Sequence, residues 1–147
     1  MVWVENVLAH LSAQGNRVTE PRRAILERIV RYIQPFSAEQ LFKDLGGDDS
    51  PIGRATVYRT VDLLLADGWL ARVHWSPSKE SNDDHAYVPV ERGHQHHMVC
   101  KNCGSVAAFE GCDLDALLGG LAHRLNFRVD GHWLEIYGLC QVCQRQS

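Results

Sequence analysis

Residues 37–75 read SAEQLFKDLGGDDSPIGRATVYRTVDLLLADGWLARVHW. Ser37 stands at an N-cap position with Gln40 three residues on, a capping box that opens a helix. Leu41, Phe42 and Leu45 are its apolar positions, and Gly46-Gly47 closes it. Residues 48–53 form a turn-rich loop. A second helix runs from about Arg54 to Ala66, with Val57, Val61, Leu64 and Leu65 on one side and Gly68 as its C-cap. Residues 69–75 then read as a strand. With one more helix before them, three helices with a tight turn into the last one describe a helix-turn-helix, and an added β-hairpin makes it winged.

The flanking sequence extends the same pattern. Trp3, Val4, Val7, Leu8 and Leu11 recur at helical spacing up to Gly15. Thr19 precedes Glu20-Pro21, an acid and a first-turn proline at a helix start. Ala24, Ile25, Leu26, Ile29, Val30 and Ile33 supply that helix's apolar face, and Pro35 stops it. Residues 76–84 are polar and turn-like, and residues 86–90 read as a return strand. Three or four helices and a hairpin thus occupy about 90 residues. Element order alone leaves two readings open: a winged helix, or a small α+β domain with no role on DNA.

The chain has 147 residues, 45% hydrophobic and 22% charged, with a formal net charge of −3. That length suits one large domain or two small ones. A constitutively basic nucleic-acid coat protein is a poor match to the charge. No apolar run is long enough to span a membrane, and the N-terminus lacks the basic start of a secretory signal. A cytoplasmic protein with reduced thiols is expected. Within residues 51–59, Arg54, Thr56, Tyr58 and Arg59 fall in the first turns of the helix that would read DNA. Arginine can bind guanine or phosphate, and Thr or Tyr can touch a thymine methyl or a phosphate. Arg17, Arg22 and Arg23 could clamp the backbone on either side. A solvated basic face is the alternative.

The composition changes after Glu91-Arg92-Gly93. Seven of the eight histidines lie from His74 onward, and all five cysteines lie beyond residue 99. Residues 97–99 and 106–109 read as short strands, 113–125 as a helix with a Leu114, Leu117, Leu118, Leu121 and Leu125 stripe, and 127–139 as a last strand. The expected division is 1–90 and 91–147. Cys100-Lys-Asn-Cys103 and Cys140-Gln-Val-Cys143 are two CxxC pairs. Each turn directs two thiolates the same way, and four thiolates close a tetrahedral structural zinc site. A redox dithiol or an iron–sulfur cluster is the competing reading. Cys112 is left over and reads as a small buried hydrophobe.

His94-Gln-His96-His97 precedes the first knuckle. In an extended segment His94 and His96 share a face and His97 takes the other. Neutral imidazoles with a carboxylate suit zinc, iron, nickel or manganese. Glu110, Asp113 and Asp115 are candidate carboxylates, and His132 lies beside Gly131 at a turn. A solvated histidine run is the alternative. His74 and His85 lie on the two arms of the hairpin, where they could meet or serve as ordinary polar positions.

Together these segments resemble the ferric uptake regulator (Fur) family of bacterial metalloregulators. The residues that carry the resemblance are Gly15 to Arg23, Ser37 to Phe42, Ala55 to Thr60, His94 to Gly104 and the Cys140–Cys143 pair. The resemblance implies an α+β protein: an N-terminal winged helix-turn-helix followed by a small α/β dimerisation domain. It implies a homodimeric, metal-dependent repressor of metal-uptake genes that binds a double-stranded operator, with no membrane and no small-molecule substrate. By resemblance Tyr58 and Arg59 lie on the recognition helix, and Arg17 approaches the minor groove or backbone. Cys100, Cys103, Cys140 and Cys143 match the structural zinc site. His94, His96, Asp115 and His132 match a dimer-domain metal site, with Asp115 in place of the more usual Glu.

Three departures bear on the hinge sensing site. Its usual early histidine falls near Pro35-Phe36, the acid five residues after the second cysteine is Ala108, and the Glu after the return-strand aromatic is Val88. His97 is retained. His74, His85 and His97 then form an alternative set, with Glu110, or with Glu80, Asp83 or Asp84, as the acid. That resembles the zinc-responsive branch, and the loss of carboxylates disfavours iron. A second, regulatory divalent metal is therefore expected, zinc before iron or manganese. An iron- or peroxide-responsive regulator of the same family is the rival. A zinc enzyme is the distant one, because closed thiolate coordination leaves no position for water.

Overall fold

The computed structural model describes residues 2–74, 85–91, 95–109, 114–132 and 134–146. Trp75, Glu80, Asp83, Asp84, His94, Glu110, Cys112 and Asp113 lie outside the described residues, and His85 is described by its strand position alone. The chain divides into two compact units, Met1–Gly93 and His94–Ser147.

The first unit contains α1 (Val2–Ala13), α2 (Glu20–Ile29), α3 (Ala38–Asp44), a 3-10 turn (Gly47–Asp49), α4 (Arg54–Ala66), β1 (Leu70–His74) and β2 (His85–Pro89). Apolar residues on the inner faces of the helices form one cluster that includes Val7, Leu11, Ile25, Leu26, Leu41 and Val61. Each helix start has a local cause. Thr19 Oγ1 accepts from the Arg22 amide at 3.4 Å, and Ser37 Oγ accepts from the Gln40 amide at 3.0 Å. Each bond satisfies an amide that the helix itself leaves open. Ser37→Ala is expected to cost about 1 kcal/mol, read as a lower denaturant midpoint with an unchanged slope.

Helix α2 ends at Ile29, four residues short of the expected Ile33, and Ile33 is 94% exposed. The chain turns there because Tyr32 and Phe36 stack with ring centroids 4.6 Å apart. Phe36 also exchanges both backbone hydrogen bonds with Tyr87, at 3.0 and 2.7 Å. This single-residue bridge ties the loop before α3 to the antiparallel β1–β2 hairpin, in which His74 pairs with His85. The hairpin is tied back to the helices. Trp3 Nε1 donates to the Val90 carbonyl at 2.9 Å, and the Val90 amide donates to the Trp69 carbonyl at 3.0 Å. Four helices and a β-hairpin, with α2 to α4 as the tri-helical part, make a winged helix-turn-helix.

The second unit contains β3 (His96–Cys100), β4 (Val106–Phe109), α5 (Leu114–Leu125), β5 (Glu135–Gly138) and α6 (Gln141–Gln144). The sheet order is β4-β3-β5, with β3 antiparallel to β4 and parallel to β5. The expected strand over 127–139 shrinks to four residues. Asn126 ends α5 in the left-handed region (φ 54°), and the Phe127 amide returns to the Ala122 carbonyl at 2.8 Å. Pairing with β3 then begins only at Glu135, opposite His97. The leucine stripe of α5 is not an internal core either. No described α5 residue is buried, and Leu125 is 69% exposed.

Candidate metal centre and nucleic-acid face

Parallel pairing of β3 with β5 sets Cys100 opposite Gly138, which brings the two CxxC turns to the same end of the sheet. The sulfurs of Cys100, Cys103, Cys140 and Cys143 all lie within 4.8 Å of one another. Gly104 has a φ of 74°, and its amide donates to the Cys100 carbonyl at 3.0 Å, closing the first knuckle. Helix α6 starts at the second knuckle, with the Gln144 amide donating to the Cys140 carbonyl at 2.9 Å. Polar groups already face the sulfurs. The Cys140 amide donates to Cys100 Sγ at 3.4 Å, and Asn102 Nδ2 donates to Cys143 Sγ at 3.3 Å. Ser105 Oγ lies 3.3 Å from Cys103 Sγ.

The titration of these thiols follows from the geometry. Backbone hydrogen bonds from Cys103 and Cys140 bring the Cys100 thiol down to about 6. Asn102 pulls Cys143 down too, but the crowding thiols, Cys140 foremost, and burial outweigh it and push Cys143 up to about 11. Four thiolates this close repel, so the set ionises fully only around a cation. The donor set fits a soft, tetrahedral ion such as zinc. Among the described residues, these four cysteines are the only group of three or more potential ligands close enough to share an ion.

His96 and His97 are both buried on β3, at 2% and 4% exposure. A solvated histidine run is therefore excluded for this pair. Adjacent residues of a strand face opposite sides, so the two imidazoles serve different surroundings. His96 stacks on His132 with centroids 5.2 Å apart, and His132 shares a cavity of about 230 Å³ with Asp115. His96, His132 and Asp115 are thus neighbours in series, and they do not converge on one point. Stacked rings send their lone pairs outward in the ring planes, so rotation of at least one ring would precede joint ligation. On the other face, burial lowers the His97 pKa and outweighs the opposing pull of Glu135, a shift that favours the neutral imidazole. Its buried Nε2 has no hydrogen-bond partner among the described residues, an orphan that a metal would satisfy.

Helix α4 presents Arg54, Tyr58 and Arg59 on the surface of the first unit, with Thr56 half-buried. Its N-cap, Gly53, provides no side-chain hydrogen bond. The segment 51–59 has no acid, yet Arg54 is ion-paired, because Glu39 of α3 reaches across to it. Sequence reading missed Glu39. The available signal was an acid in the first turn of the helix that precedes the turn. Arg22 Nη1 donates to the Arg17 carbonyl at 2.6 Å, bracing the loop before α2, and Arg23 pairs with Glu5 at 2.9 Å.

Comparison with known proteins agrees with this architecture. The Ferric uptake regulator family pattern matches residues 13–137. The ferric uptake regulation protein of Neisseria meningitidis serogroup A is 33% identical over 144 residues, covering 97% of this chain and 96% of that protein. The peroxide operon regulator of Bacillus subtilis is 31% identical over 144 residues, covering 98% and 95%. A zinc uptake regulator solved with zinc and DNA superposes with a TM-score of 0.78 at 22% identity, over 97% of this chain and 93% of that one, and shares the fold. Holo XcZur superposes with a TM-score of 0.75 at 26% identity, over 98% of each chain. A winged helix joined to a four-thiolate centre defines the class: a metal-dependent regulator that reads DNA. The chain belongs to the ferric uptake regulator family.

Proposed function

We propose that this protein is a zinc-responsive repressor that acts as a homodimer on a double-stranded operator in the cytoplasm and controls metal-uptake genes. The observation that carries the reading is the four-thiolate cluster in a chain whose α4 exposes Arg54, Tyr58 and Arg59. Residues 1–90 form the DNA-binding domain and 91–147 the dimerisation domain. Arg17 and Arg22 contact backbone phosphate, and Arg54, Thr56, Tyr58 and Arg59 contact the operator. Residues 1–90 hold ten Lys and Arg against twelve Asp and Glu, so affinity depends on this local grouping. Exposed Met98, Leu117, Leu125, Ile136, Tyr137 and Val142 support a second copy as the cover of the second unit.

Cys100, Cys103, Cys140 and Cys143 hold the structural zinc, whose charge lets four thiolates lie together. His94, His96, Asp115 and His132 form the dimer-domain metal site. His74, His85, His97 and Glu110 form the sensing set. Metal that binds the DNA-competent state better than the other raises operator affinity, and operator raises metal affinity by the same factor. Ala108 and Val88, where the family supplies acids, favour zinc over an oxygen-seeking ion. The identity to ferric and peroxide regulators favours iron as the second reading. A selection from random duplexes tests the function. Zinc-loaded protein is expected to enrich a palindromic, A/T-rich sequence and to release it on chelation. Equal binding to all duplexes, or no binding, contradicts the reading.

A further inference from the structure

Helix α4 has no acidic residue in its first turn. The carboxylate that faces Arg54 comes from α3. Glu39 Oε2 accepts from Arg54 Nη1, and also from Tyr58 Oη at 3.3 Å. Arg54 and Tyr58 are four residues apart and share a helix face. On its other side, the Arg54 guanidinium carbon lies 4.3 Å from the centroid of the Phe42 ring, also on α3, at a cation–π distance. Lys43 Nζ lies 3.8 Å from the second Glu39 oxygen. The Arg54 contact holds the Glu39 carboxyl below its ordinary value, so it is charged at neutral pH. Arg59, on the same helix, has no ion-pair partner among the described residues.

We propose that Glu39 is a positioning residue for operator recognition: it holds Arg54 and Tyr58 as one unit on α4 and competes with backbone phosphate for the Arg54 guanidinium. The proposal rests on the reading of α4 as the recognition helix. Phosphate contacts supply sequence-independent affinity through counterion release. A guanidinium already held by a carboxylate contributes little of that term to generic DNA. It is released only where the duplex also rewards the Tyr58 and Arg59 side chains, which converts a non-specific contact into a conditional one. Both partners are solvent-exposed, so the pair matters little to folding, and its loss is expected to appear on DNA.

The test is anisotropy titration of the zinc-loaded full-length protein over a salt series. It uses the duplex that the wild type enriches from a random library and a mixed-sequence duplex of equal length and composition. Glu39→Gln is expected to bind the mixed duplex roughly 3–10-fold tighter near physiological salt, with a log–log salt slope steeper by about 0.9 per protomer engaged. The ratio of selected to mixed affinity falls. In Glu39→Gln combined with Arg54→Ala the gain disappears. An unchanged slope and mixed-duplex affinity in Glu39→Gln overturns the proposal. So does a gain that persists without Arg54, because removal of a repelling charge would then explain it. A wild type that binds neither duplex overturns the regulator reading, and this proposal with it; unaltered circular dichroism and zinc content in each variant confirm that the comparison is made on folded protein.

Discussion

Cys100→Ser is expected to strip the tightly held zinc and unfold the second unit while α1 to α4 stay folded. The reason is the distribution of core. The contiguous apolar cluster lies entirely within Val4–Leu70. In the second unit the described buried residues are His96, His97, Val99, Cys100, Gly104 and Cys143, too few apolar groups to hold a three-stranded sheet. Coordination of structural zinc contributes about 10–16 kcal/mol in small domains, more than this sheet can gain by burial. Cys100 is also the last residue of β3 and accepts the Cys140 amide, so its loss disturbs both knuckles. The checks are zinc content, limited proteolysis and gel filtration. Expected are loss of non-exchangeable zinc, digestion beyond residue 93 and a monomeric elution. A protease-resistant dimer with undiminished zinc contradicts the structural role.

His97→Ala is expected to shift zinc-dependent operator binding to about 10–100-fold higher free zinc, the scale of losing one group that supports a metal site. His97 sits on the central strand, between Ala108 of β4 and Glu135 of β5. Its imidazole is buried, and that burial favours the neutral form, the protonation state that binds metal. The four-thiolate zinc should be retained, because no cysteine sulfur depends on His97. Operator binding at buffered zinc, alongside zinc content, separates the two sites. If the variant binds operator at the wild-type zinc concentration, His97 is not a sensing ligand.

The helix starts and the order of elements in the first unit were legible in the sequence, because their signals are local. Ser37 and Thr19 cap the helices they were expected to cap, and the Arg54–Ala66 helix carries its own apolar periodicity. The failures arise where a distant partner decides. Ile33 fits a helical pattern, but Tyr87 captures Phe36 and ends α2 early. Residues 127–134 alternate like a strand, yet β3 offers pairing only from Glu135. The α5 leucines repeat as for a core, yet none is buried: Leu117 and Leu125 are exposed and Leu114, Leu118 and Leu121 half-buried, as they would be on a face that meets another chain. For the metal centre, spacing sufficed, since two CxxC turns need only be brought to one end of a sheet. The groups that tune it, Asn102 and Ser105, and Glu39 beside Arg54, depend on side-chain direction in the folded chain, and spacing does not encode that.

A protein that zinc switches onto DNA must lose operator binding without exchangeable zinc and regain it with zinc. The deciding measurement is operator binding of protein freed of exchangeable metal, titrated in parallel against buffered free zinc, iron(II), manganese and nickel. Zinc is expected to restore binding at the lowest free concentration, and chelation to reverse it while the four-thiolate zinc stays bound. Binding restored first by iron or manganese, or binding indifferent to every added ion, would contradict a zinc switch.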